Sequence, residues 1–417
     1  MRASDAGCVA TPKPAVSAAF MALLIALSAL GPMALQIFVP ALPAIQAHFA
    51  VAPGVAQLAL SLSILANAVA ALSYGPLSDR FGRRPVVLAG LGLFIAGSVM
   101  CALAPTIDLL VIGRIAQAGG GAAGLVVARA IVRDLYERDR AASMIAYLTM
   151  AMVVAPMLAP AGGAVLLDLA GWRTIFIVVT AIGVLLAWGA RQRLLETRAG
   201  GSGSASWSAL LTGTAALFRS RAFVGYVLQS AFAISVFFAF VAGAPYYMID
   251  ILDRPATEYG LYFIVVSLGF MTGNFTAARI TPRVGLDRMV VTGSCLVVAG
   301  TGLAATLLAS GMWTPLALIG PMMLTTFGNG LAIPNAQAGA ISVDPALAGT
   351  ASGLSGFAQM LVAALVSQAV GMLQNGTPYA MLGFMVGCAV LSLLGFVLLA
   401  PGAAPASPAR GGHGQRG

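Results

Sequence analysis

Charge is scarce in this chain. Only 8% of its 417 residues are Asp, Glu, Lys or Arg, while 59% are hydrophobic, and the mean hydropathy is +0.94. A water-soluble domain of that composition would lack the polar surface to cover its core. Histidine is scarcer still, with only His48 and His413. The four cysteines (Cys8, Cys101, Cys295, Cys388) are isolated, with no C-x-x-C and no Cys/His cluster. That spacing argues against a zinc site or a disulfide framework, and neither a metal nor another cofactor is expected. No G-x-x-x-x-G-K-[ST] loop occurs, which excludes ATP hydrolysis of the P-loop kind. No His/Asp/Ser constellation supports a membrane-embedded enzyme, and a non-enzymatic role is expected.

What the chain does have is apolar runs of about 20 residues, each long enough to cross a bilayer as a helix. In lipid every backbone polar group must be satisfied internally, so such runs are helices. We read twelve spans: 17–39, 55–76, 86–104, 108–128, 143–166, 174–190, 223–245, 259–278, 289–309, 315–336, 350–371 and 379–399. The fold class is therefore all-α, a polytopic protein whose first partner is the lipid bilayer. Many of the 49 glycines fall inside the runs, as close helix packing in membranes requires. The first run is too long for a signal peptide and is read as a retained helix.

The arginines set the topology. Nineteen of the 22 Lys and Arg fall in the two termini and in the connections after spans 2, 4, 6 and 8; Arg173 and Arg254 lie on the opposite side, and Arg114 lies within span 4. Positive charge collects in cytoplasmic loops, so both termini are expected in the cytoplasm. The same bias accounts for the net charge of +9 without nucleic acid as a partner. The region 191–222 contains "AGGSGSAS", a flexible-linker composition. It divides the chain into an amino-terminal six-helix half, 1–190, and a carboxy-terminal half, 223–399, followed by a tail, 400–417, expected to be disordered. Two such halves suggest parallel repeats. Arg80-Phe81-Gly82 after span 2 is echoed by Arg283-Val284-Gly285 after span 8, with Pro282 where Asp79 would be.

One stretch breaks the scarcity of charge. "GPLSDRFGRRP", Gly75 to Pro85, holds Asp79, Arg80, Arg83 and Arg84 within six residues. Arginines alone would set orientation, but an acid does little for it, and Gly75 and Gly82 punctuate a tight interhelical turn. Gly75, Asp79, Arg80, Gly82, Arg83 and Arg84 resemble the signature between helices 2 and 3 of the major facilitator superfamily. "GRIAQAGGGAAG" (Gly113 to Gly124) resembles the helix 4 motif of its drug:proton antiporters, and "APMLAPAGG" (Ala155 to Gly163) their helix 5 motif. "VPALPAI" and "GWRTIF" are similar to the bicyclomycin and chloramphenicol resistance (Bcr/CflA) branch.

That resemblance implies a twelve-helix exporter of small, apolar or amphipathic drugs in the bacterial inner membrane, acting as a monomer by alternating access. An uncoupled facilitator or importer of a neutral metabolite is the alternative. It implies a gate latch in which Asp79 meets the amino end of span 11 and Arg83 pairs with Asp134. It also implies a transport pathway that includes Gln36, Asn67, Arg114 and Gln117. Arg114 lies six residues into span 4, where a charge needs a wet cavity or an interface to reach. Pro156 and Pro160 are expected to kink span 5, and Gly162 and Gly163 to let it pack closely. Phe237, Phe238 and Phe240 are read as pocket lining or lipid-facing filler, and Tyr246, Tyr247 and Trp172 as interfacial belts.

In one respect the chain departs from the family. The branch carries an acid in helix 1 before P-A-x-P; here the string is "QIFVPALP", with Gln36 in its place. An amide does not titrate in the accessible range. None of the thirteen acids falls at mid-membrane by the spans above. Three accounts of coupling remain. Asp108 or Asp250 lies deeper than drawn and carries a proton, Asp250 being the first choice; or Asp79 and Asp134 relay a proton at the gate; or the chain is a uniporter, or couples to another ion or to an anionic substrate held by Arg114.

Overall fold

The computed structural model describes residues 18–197 and 214–400. The middle of the expected linker and the tail from 401 lie outside the described residues. Twelve long helices follow one another: α1 Ala18–Gln36, α2 Pro53–Phe81, α3 Arg83–Leu103, α4 Ile107–Leu135, α5 Arg138–Ala170, α6 Trp172–Arg193, α7 Arg221–Tyr246, α8 Ala256–Val284, α9 Leu286–Ala309, α10 Pro315–Ser342, α11 Ala348–Met372 and α12 Tyr379–Leu399. No strand occurs among the described residues. Twelve helical segments are long and apolar enough to cross a membrane.

The helices run past the apolar windows because the backbone ladder needs no lipid to continue it. α5 extends from Arg138 to Ala170, beyond the 143–166 read from hydropathy. α2 runs on to Phe81 and α3 starts at Arg83, so the turn read as Gly75–Pro85 shrinks to one residue, Gly82. Pro85 is the third residue of α3, where an N–H would have no intrahelical partner anyway. The first span is broken: after Gln36 come a 3-10 turn, Val39–Ala41, and a short helix, Leu42–Phe49. Thr106 begins α4 with its hydroxyl accepting from the Leu109 N–H, and Thr314 does the same for α10.

The chain forms two compact units. One comprises 1–38 and 69–204; the other comprises 39–68 and 205–417. The first half of α2 therefore belongs with the second unit. Within the first unit α3 packs on α4 and α6, and α1 on α4 and α5; within the second, α9 packs on α10 and α12, and α7 on α10 and α11. These four pairings correspond with six added to each helix number; the extensive α8–α10 pairing of the second unit has no like α2–α4 counterpart. Glycines carry the closest of these contacts. A Cβ on Gly90 or Gly97 of α3 would strike α4, and a Cβ on Gly293 or Gly300 of α9 would strike α10. Each pair is offset by 203 residues, as are Gly82 and Gly285. With little hydrophobic drive between helices in lipid, close backbone approach supplies the packing energy.

Candidate functional site

The charge cluster forms where α2, α3 and α4 end. Gly82 has φ 94° and ψ 156°, a region open essentially to glycine alone. This one residue reverses the chain and stacks the last turn of α2 beside the first turn of α3. Arg83 is 4% exposed. Its Nη1 lies 2.8 Å from Asp79 Oδ1 and donates to Ser78 Oγ at 2.6 Å, while its Nε donates to Asp134 Oδ2 at 3.0 Å. A buried guanidinium without partners would be prohibitive, so the two carboxylates hold it in place.

Glu196, just beyond α6, completes the cluster. Its carboxylate accepts from the Arg83 N–H at 2.8 Å and the Arg84 N–H at 3.1 Å. Glycine at the N-cap has no side chain to satisfy these amides, so a carboxylate from more than a hundred residues away caps α3, where the helix dipole favours an anion. Thr197 Oγ1 donates to Asp134 Oδ2 at 3.1 Å. Arg84 Nη2 donates to the Arg191 carbonyl at 2.7 Å, and exposed Arg80 lies over the Phe81 ring. Gly75 is inside α2 with nothing within 4 Å of a hypothetical Cβ, so it does not end the helix as its motif position suggested. Sequence reading missed Glu196 and Thr197; the available signal was an acid standing among the arginines that follow span 6.

Arg114 does not reach for the membrane interface. It is 1% exposed, inside the first unit. Its Nη1 donates to the Ala34 carbonyl at 3.0 Å and to Gln117 Oε1, and the guanidinium lies 3.7 Å from the Phe38 ring centroid. Gln117 Nε2 donates onward to Ser98 Oγ at 2.8 Å. A carbonyl at the end of α1, an amide one turn along α4 and an aromatic face share the charge. Phe38 is two residues beyond Gln36, which is buried at the end of α1 with Oε1 lacking a hydrogen-bond partner. Asn67 is half-buried on α2.

Pro156 and Pro160 lie inside α5. Of the paired glycines only Gly163 is in close contact: a Cβ there would overlap the Ile37 carbonyl, whereas Gly162 faces open space. That corrects the expectation that both serve packing. Gly163 seats α5 against the end of α1, beside Gln36.

The second unit holds a polar seam of uncharged groups. Near the start of α2, Gln57 Nε2 donates to Ser367 Oγ on α11 at 2.7 Å, Ser61 Oγ to Gln368 Oε1 at 2.6 Å, and Gln368 Nε2 back to the Gly54 carbonyl at 2.9 Å. Deeper in, Gln337 Nε2 of α10 donates to Gln359 Oε1 of α11, whose own Nε2 donates to Ser230 Oγ of α7. Phe238 and Phe240 are buried, and Phe240 stacks on Phe263, so neither is lipid-facing filler. Trp172, Tyr246 and Tyr247 are also buried, which removes them from the interfacial belts: helix packing covers what hydropathy leaves at a span end.

Acids avoid the middle of every helix. Each acid among the described residues lies within two residues of a helix end or between helices. Asp108 is exposed in the first turn of α4, favoured by the helix dipole. Asp250 is exposed in a π-helical turn, Tyr247–Ile251. Asp108 stays at the end where the sequence drew it, whereas α7 continues through the π turn, so Asp250 falls inside the continuous helical segment Arg221–Ile251 and not beyond a span ending at 245.

The family model described as Major Facilitator Superfamily matches residues 22–367. The chain is 31% identical to an MFS-type transporter, YdgK, of Bacillus subtilis, over 93% of this chain and 96% of that protein. It is 28% identical to Multidrug resistance protein D of Escherichia coli, over 90% and 93% of the two chains. With a Bicyclomycin resistance protein homolog of Haemophilus influenzae it shares 26% identity over 91% and 96%. Among solved structures, a bacterial homolog of the human lysosomal transporter Spinster, in an inward-facing and unoccupied conformation, superposes with a TM-score of 0.73. The identity there is 16%, with 94% of this chain and 96% of the other covered. A D-xylose-proton symporter gives 0.69 at 15% identity, covering 90% and 96%.

Proposed function

Since the chain belongs to the major facilitator superfamily, we propose that it exports small, apolar or amphipathic drug-like molecules across the bacterial inner membrane by alternating access. The observation that carries transport is the latch: a buried arginine bridging two carboxylates at the ends of three spans. Paired charges at the ends of adjoining spans are the kind of element by which a two-state gate favours one state over the other. The drug class rests on full-length similarity to two proteins named for drug resistance.

The repeats are 1–190 and 223–399, joined by the linker 191–222. Support comes from the matched helix pairings and from the matched backbone at Gly82 and Gly285. The arginine bias supports cytoplasmic termini. The protein acts as a monomer, and its chemistry is transport rather than catalysis. Gln36, Asn67, Arg114 and Gln117 belong to the pathway; Pro156, Pro160 and Gly163 shape it.

The experiment is a survival screen across antibiotics, with and without the chain, followed by flux of the best substrate in proteoliposomes. Export predicts that deleting the chain raises cell-associated drug; lowered drug on deletion would instead mark an importer. A second reading, an uncoupled facilitator, is favoured by Gln36 and by the confinement of every described acid to helix ends. An imposed pH gradient separates the two. Coupled flux follows the gradient and falls in an edge-acid variant, Asp250→Asn first because π-turns are frequent at functional sites, then Asp108→Asn. Gradient-driven flux that survives both moves the proton to Asp79 and Asp134, and flux indifferent to the gradient establishes the facilitator.

A further inference from the structure

A groove of about 600 Å³ opens between the first turn of α3 and the last turn of α6, lined by Arg84, Pro85, Leu88, Trp188, Arg191 and Gln192. None of the proposed pathway residues faces it. Its lining carries two positive charges and no negative one. The Arg84 guanidinium is anchored across it, Nη2 donating to the Arg191 carbonyl at 2.7 Å, while Arg84 Nε is buried without an acceptor. Glu196, the acid near this end of α3, is engaged with the backbone amides of Arg83 and Arg84.

The surroundings are apolar. Trp188 is 63% exposed and Leu185 66%, and farther along α6 Val184 and Ile177 are also exposed. On a membrane-spanning helix this row faces acyl chains, and a tryptophan near the end of a span sits at headgroup depth. Arginine is the side chain whose donor fork matches phosphate oxygens. The groove therefore joins a phosphate-binding pair to a hydrocarbon-facing wall, at the level where lipids present the same sequence of groups.

We propose that this groove binds an anionic phospholipid, with the phosphate between Arg84 and Arg191 and an acyl chain along the exposed face of α6. A soluble anion would use the arginines but gain nothing from Trp188 or Leu88; a zwitterionic lipid would use the wall but carry no net charge to the arginines.

The test is native mass spectrometry of the full chain in detergent, titrated with phosphatidylglycerol and phosphatidylcholine of matched acyl chains. The wild type is expected to retain phosphatidylglycerol preferentially. Each arginine near a membrane surface is expected to contribute about fivefold, so Arg191→Gln should cut the preference about fivefold and Arg84→Gln/Arg191→Gln should abolish it, with Arg191→Lys keeping most of it. A preference unchanged in Arg191→Gln overturns the proposal, and this exposed residue outside the latch decides the matter even where the double variant fails to fold. Competition by glycerol phosphate as strong as by the lipid itself overturns the acyl part. The measurement involves no transport, so its outcome is independent of the exporter reading.

Discussion

Two turns in this molecule share one backbone, and an arginine two residues before the glycine, but differ in what surrounds them. Gly82 joins α2 to α3 and Gly285 joins α8 to α9, with φ 94° at both and ψ of 156° and 154°. At the first, a Cβ would lie 2.7 Å from the Glu196 carboxylate; at the second it would meet nothing within 4 Å. Arg83, buried between Asp79 and Asp134, has Leu286 as its counterpart 203 residues on, and Asp79 has Pro282. The second turn has instead a bond from the Tyr226 hydroxyl to Asp287 in the first turn of α9. The glycine is demanded by geometry that both turns need. The charged cluster is an addition to one of them, assembled from acids that the other lacks at the matching positions.

The largest effect should come from Arg83→Ala, which removes the buried cation between Asp79 and Asp134 and leaves a cavity. The two carboxylates it leaves are 34% and 24% exposed, so the electrostatic loss is about 1.5–3 kcal/mol with the cavity added to it, and we expect a clear fall in the unfolding midpoint in detergent and loss of transport in vesicles. Leu286→Ala, the counterpart, should lower the midpoint far less. Next comes Gly82→Ala against Gly285→Ala. Both meet backbone strain of about 1–3 kcal/mol, but only the first displaces Glu196, so the first should unfold at the lower temperature; equal midpoints would break the comparison. Glu196→Ala should cost about 1–2 kcal/mol as a lost helix cap and leave Gly82→Ala no worse than Gly285→Ala, a double-mutant cycle that isolates the contact. The smallest effect is Tyr226→Phe, about 1 kcal/mol for one hydrogen bond, read as a small midpoint shift with transport retained.

Much of the fold was legible because lipid leaves the backbone few options. Span 12 was read as 379–399 and is found as Tyr379–Leu399. Span 5 was drawn short because hydropathy stops where charge begins, whereas helical hydrogen bonding does not. The repeat was visible as a three-residue echo; the stronger signal, glycines 82, 90 and 97 against 285, 293 and 300, becomes meaningful only when each is seen against a neighbouring helix. Arg114 was noticed as a charge out of place, but Phe38 beneath it was not, since nothing in local sequence announces which ring an arginine 76 positions away will cover.

The sequence by itself determined twelve spans, a glycine-marked reversal somewhere between Gly75 and Pro85, and the absence of an acid from the middle of any span; that Gly82 alone makes the reversal came from the structure. These are local matters: hydropathy, φ, and the cost of a lone charge in hydrocarbon. Only the tertiary structure decided that Glu196 caps α3, that Asp79 joins the expected Asp134 on Arg83, and that residues 39–68 fold with the second unit. Each of these depends on the distance between groups far apart in the chain, and a hydrogen bond is made or lost within about half an ångström. Composition and spacing do not carry that precision; packed backbone does.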